Sequence, residues 1–75
     1  MTRFFFDVTT KEQSLFDYRG HEFRTPEGAV DCAESMVQRL EHSLNESWRG
    51  WSIEIRNAQG NRLFSFPVGQ GLQAA

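Results

Sequence analysis

The stretch TPEGAVDCAESMVQRLEHSLNES, residues 25–47, decides the fold. Thr25 suits an N-cap, Pro26 suits the first helical position, where no donor is missed, and Glu27 favours the positive end of the helix dipole. Gly28 is the weak point of that first turn. Ala29, Val30, Ala33, Met36, Val37, Leu40 and Leu44 then recur at helical spacing along one stripe, with Asp31, Glu34, Gln38, Glu41, His42 and Asn45 opposite. The pattern predicts a helix from about Thr25 to Ser47, terminated at Gly50, with Trp48 packing near its end. Burial of each larger aliphatic side chain contributes about 1.5–3 kcal/mol, several times what capping and propensity supply, so the helix needs a surface to lie on.

The flanking segments offer that surface. From Arg3 to Thr10, Phe4, Phe6 and Val8 alternate with Arg3, Phe5, Asp7 and Thr9, which reads as a strand with one apolar face. Thr10-Lys11-Glu12-Gln13 suits a turn, and Ser14 to Tyr18 a returning strand, followed by a bend at Gly20 and a loop through His21-Glu22-Phe23. Beyond the helix, Trp51, Ile53 and Ile55 alternate with Ser52, Glu54 and Arg56. Asn57-Ala58-Gln59-Gly60-Asn61 is a turn, and Arg62 to Val68 a final strand in which Pro67 marks an end or an edge. A three-residue loop pairs Ile55 with Leu63, and a four-residue loop pairs Ile55 with Phe64. The second is preferred because it places Phe64, Phe66 and Val68 beside Trp51, Ile53 and Ile55 under the helix.

The expected fold is therefore α+β: a two-layer β-β-α-β-β domain over residues 1–68, with a four-stranded antiparallel sheet, one long helix on one face, and a flexible tail at 69–75. The 75 residues include seven phenylalanines and two tryptophans, which let a short chain build a core without staples. The single cysteine, Cys32, can neither close an intrachain disulfide nor build a thiolate metal site, which favours a reducing cytoplasm. The apolar run at Phe4-Phe5-Phe6 is too short for a signal-peptide core or a membrane span. Eight basic and ten acidic residues are scattered, giving a net charge of -2.

No catalytic set stands out. His42 falls on the polar face of the helix, His21 lies beside Glu22 near Phe23, and Cys32 sits at the edge of the apolar stripe as a small hydrophobe. Two histidines and one cysteine lack the close pairs of a metal site, and no glycine-rich phosphate loop is present. The expectation is no enzyme, no cofactor and no metal. An enzyme of this sequence would need His21 and Glu22 or Asp17 in one cleft.

Several pieces together resemble a family of short uncharacterised proteins abundant in rhizobia and related alphaproteobacteria: Arg3-Phe4-Phe5-Phe6, Asp17-Tyr18-Arg19-Gly20, Thr25-Pro26-Glu27 before the helix, Ile53-Glu54-Ile55, Asn57-Ala58-Gln59-Gly60 and Phe64-Ser65-Phe66-Pro67. The resemblance covers nearly the whole chain. Asn57 departs from the acidic residue of the pattern, and no activity comes with the likeness.

Two uses remain for the sheet. The leading expectation is a non-enzymatic cytoplasmic interaction or regulatory module, a homodimer being one form, whose surface is drawn from Arg3, Phe5, Phe16, Arg56 and Leu63. The alternative is a single-stranded nucleic-acid binder, stacking bases on Phe5 between Arg3 and Arg56. Net acidity, with Asp7 and Glu54 on that same face, argues against the alternative.

Overall fold

The computed structural model describes residues 1–42 and 50–69. Its elements run β1 (Thr2–Thr9), β2 (Ser14–Leu15), β3 (His21–Phe23), α1 (Pro26–Glu41), β4 (Ser52–Asn57) and β5 (Arg62–Pro67). All strand pairs are antiparallel. The order is β2-β1-β4-β5, with β3 also on the outer side of β1, so among the described residues β1 and β4 are central and β5 is an edge. The α+β architecture read from the sequence is the one observed, with one more strand than expected.

That extra strand comes from the segment between β1 and α1. A single returning strand over Ser14–Tyr18 was expected, but pairing stops after two residues, Thr9 with Ser14 and Val8 with Leu15. The chain then loops away at Asp17 and returns as β3, pairing Thr2 with Phe23, Arg3 with Glu22 and Phe4 with His21. His21 thus belongs to a strand rather than a loop. The turn into β2 is held by Thr10, whose hydroxyl accepts from the N–H groups of Glu12 and Gln13 at 3.1 and 3.0 Å.

The helix begins as its sequence dictates: Thr25 is an extended N-cap whose side chain accepts from the Gly28 N–H at 3.3 Å, with Pro26 opening the first turn. Gly28 has a packing reason, since a Cβ there would stand 3.3 Å from the Phe23 ring. The helix is described as far as Glu41, with the His42 N–H donating to the Gln38 carbonyl at 2.9 Å, and the expected continuation to Ser47 lies outside the described residues. Leu44 and Trp48 lie outside the described residues. Ala29 and Ala33, fully buried, form the contact line of α1 in a core with Phe4, Phe6, Ile53, Ile55 and Val68. Val37 and Leu40 are half-buried against it.

Both loop lengths considered for the last hairpin occur in it. Next to the turn, Arg56 faces Arg62 and the Asn57 N–H donates to the Asn61 carbonyl at 2.9 Å, the three-residue arrangement. Beyond it Ile55 faces Phe64, Ile53 faces Phe66 and Ser52 faces Pro67, the four-residue arrangement. Leu63 is the extra residue that absorbs the difference as a β-bulge. Asn57 takes the turn-building role directly, its side-chain oxygen accepting from Gln59 and Asn61. Gly69, assigned to the tail from sequence, is buried, and its N–H donates to Glu41 at 3.0 Å.

Candidate functional site

The sheet face turned away from α1 carries the chain's concentrated charge. Asp7 on β1 stands directly opposite Glu54 on β4, and both are buried, Asp7 completely. Two carboxylates across a strand pair repel each other, so each requires a cation. Arg56 supplies one, its Nε 2.8 Å from Asp7 Oδ2 and its Nη2 3.2 Å from Asp7 Oδ1, a two-pronged contact. Arg62 supplies the other, 2.6 Å from Glu54 Oε1. The Arg56 guanidinium also lies 4.7 Å over the Phe5 ring and donates to the Asp17 carbonyl at 3.1 Å. Its hydrogen bonds to Asp7 hold its already high pKa higher still.

Asp17 fills the gap between β2 and β3. Its Oδ2 accepts from the Phe6 N–H at 3.2 Å, which gives the central part of β1 a partner where no strand runs beside it. Its Oδ1 accepts from the N–H groups of Arg19 and Gly20, both at 3.0 Å, and its own N–H donates to Asp7 Oδ1 at 3.0 Å. Burial by itself would raise the Asp17 pKa, but the Gly20, Phe6 and Arg19 donors outweigh it, with His21 assisting, and hold the carboxyl below its usual 3.8. Gly20 completes the loop at φ +69°. A Cβ there would sit 2.8 Å from the Phe4 carbonyl oxygen and 2.9 Å from Arg3 Cγ.

Two clefts flank this loop. One, of about 400 Å³, is lined by Phe5, Phe16, Asp17, Tyr18 and Arg56. The other, of about 550 Å³ on the helix side, includes Phe16, Asp17, His21, Cys32 and Arg39 in its lining. His21 and Asp17 therefore do line one cleft, yet both Asp17 oxygens are committed to backbone donors, and Glu22 turns instead to Arg3 at 3.8 Å. Cys32 is half-buried, as its place at the stripe edge implies. Among the described residues no group of three or more His, Cys, Asp or Glu side chains is placed to hold a metal ion, and no helix is long and apolar enough to cross a membrane.

Of the interaction residues read from sequence, Arg3, Phe5, Phe16 and Arg56 gather around the Asp17 loop, with Arg3 donating to the Arg19 carbonyl at 2.6 Å. Leu63 lies two strands away, on β5. Phe5 is half-buried beneath Arg56 rather than open. Sequence reasoning treated Asp7 and Glu54 as surface charges and missed the layer they form with Arg56 and Arg62. The signal was present in Asp7 itself, a lone acid in mid-strand between Phe6 and Val8, aligned with the Glu54-Ile55-Arg56 strand.

Apart from Met1 at the start of the chain, the large exposed apolar side chains among the described residues cluster at the two sheet edges: Leu15, Phe16 and Tyr18 along the outer side of β1, and Leu63 and Phe64 on β5. Neither a curated protein nor a solved structure matches the chain. A family model does, over residues 3–69, from the Arg-Phe-Phe-Phe strand to the residue anchored on Glu41, and the chain belongs to that family, the domain of unknown function DUF6894.

Proposed function

We propose that this domain is a small non-enzymatic interaction or regulatory module of the cytoplasm that engages protein partners through its sheet edges. The observation that carries the reading is the placement of Leu15, Phe16, Tyr18, Leu63 and Phe64, exposed at the two edges of the sheet. The charged residues of the open face are spent on one another and on backbone groups, which suits a scaffold better than a proton-transfer site. A base-stacking role for Phe5 gains no support, because Arg56 occupies its ring face and Asp7 and Glu54 lie beside it.

The test is affinity capture with the intact chain and two edge variants, Phe16→Ser/Tyr18→Ser and Leu63→Ser/Phe64→Ser, each verified as folded by circular dichroism. A protein retained by the parent and released by one variant supports the reading. A parent that neither retains a protein nor self-associates refutes it. Retention on single-stranded RNA at low salt, lost as salt rises, would install the nucleic-acid reading instead.

A further inference from the structure

The two edges of the sheet are finished differently. On the β1 side, pairing is broken into pieces of two and three residues, and the exposed middle of β1 is capped by the Asp17 carboxylate. Such short, interrupted edges resist strand addition. On the other side β5 runs for six residues with its one bulge at Leu63, next to the turn, and from Leu63 to Pro67 it carries no charged side chain.

The hydrogen-bond phase of β5 is fixed by the Val68 N–H, which donates to the Trp51 carbonyl at 2.7 Å. Because bonded and non-bonded pairs alternate in an antiparallel ladder, Ile53–Phe66 and Ile55–Phe64 are bonded pairs, while Ser52–Pro67 and Glu54–Ser65 are not. Ser65 therefore turns its N–H and C=O outward, away from β4. So does Pro67, whose missing N–H costs the domain nothing at that position.

We propose that β5 is the seam of a homodimer, pairing antiparallel with β5 of a second copy about a two-fold axis through Ser65. This rests on the interaction-module reading and names its partner. The register follows from self-complementarity. Centred on Ser65, Phe64 faces Phe66 of the other copy, so the row Phe6–Ile55–Phe64 continues into Phe66–Ile53–Val8 of the partner as one apolar band beneath the two helices. Leu63 stands opposite Pro67, and the two Ser65 residues exchange a pair of hydrogen bonds. Centring on Phe64 instead would set Arg62 against Phe66. Centring on Phe66 would draw together the two grooves rimmed by Glu34 and Glu41, which lie over Phe66 and Pro67. A seam of one short strand is at the small end of specific interfaces, so dissociation in the micromolar range is expected.

Sedimentation velocity from micromolar to millimolar concentration tests the proposal on the intact chain. The parent is expected to dimerise. Ser65→Pro removes an outward N–H without touching the β4 ladder, and is expected to weaken the dimer by about tenfold or more with the circular dichroism spectrum unchanged. Phe16→Ser, on the opposite edge, leaves the dimer intact. In the dimer, the Ser65 amide exchanges with solvent more slowly at high than at low protein concentration. A parent that stays monomeric to millimolar concentration overturns the proposal, and leaves the interaction reading to its own capture experiment. A Ser65→Pro dimer as tight as the parent's also overturns it, by moving self-association to another surface.

Discussion

Replacing Arg56 by methionine removes the cation from a carboxylate that has no access to water. Asp7 is fully buried, faces Glu54 across the strand pair, and receives two hydrogen bonds from Arg56. Breaking a buried pair by deleting one partner costs about 3–5 kcal/mol, because the remaining charge stays desolvated. A chain of 75 residues has roughly 4–11 kcal/mol of total stability at ~0.05–0.15 kcal/mol per residue. Arg56→Met therefore removes about a quarter or more of the stability. Asp7→Asn strips the charge while keeping the shape, and leaves Arg56 able to reach solvent, so about 1–2 kcal/mol is expected. The double variant has no stranded carboxylate and is expected to be more stable than Arg56→Met alone. Urea unfolding followed by circular dichroism on all four proteins closes the cycle. Additive single effects, with coupling below about 0.5 kcal/mol, would refute the claim that the pair acts as a unit.

Gly20→Ala combines a positive φ, worth about 1–2 kcal/mol, with a Cβ pressed on the Phe4 carbonyl, and is expected to cost more than Gly60→Ala, whose Cβ meets nothing within 4 Å; equal losses in thermal melts would remove the close-approach argument. Asp17 has a folded-state pKa below its ordinary value, so its stabilisation is complete above that ordinary value and disappears as pH falls through the lowered one. Asp17→Asn is thus expected to lose about 1–2 kcal/mol at neutral pH and to show a shallower loss of stability below about pH 4, whereas parallel acid limbs for the two proteins would contradict the capping role. Ala33→Leu forces extra volume between α1 and the sheet, where Ala33 is fully buried, and is expected to destabilise by about 1–3 kcal/mol in urea titrations, an unchanged midpoint showing that the helix can lift away freely.

The sequence by itself determined the elements whose signals are local. Thr25 and Pro26 start the helix because capping involves only neighbouring backbone, and Phe4, Phe6, Val8, Ile53 and Ile55 declare the buried face because strand alternation is written residue by residue. Tertiary structure decided what depends on meetings between distant segments. Ser14–Phe23 has no sustained period, so its division into two short strands was set by the Asp17 carboxylate pairing with Phe6, eleven residues earlier. The bulge at Leu63 arose because the turn and the core asked for different registers. Asp7, Glu54, Arg56 and Arg62 looked like solvated charges in the sequence. Asp7 and Glu54 became buried carboxylates, each held by an arginine, only when β1 and β4, nearly fifty residues apart at Asp7 and Arg56, were laid side by side, since desolvation is a property of the assembled sheet and not of any one strand.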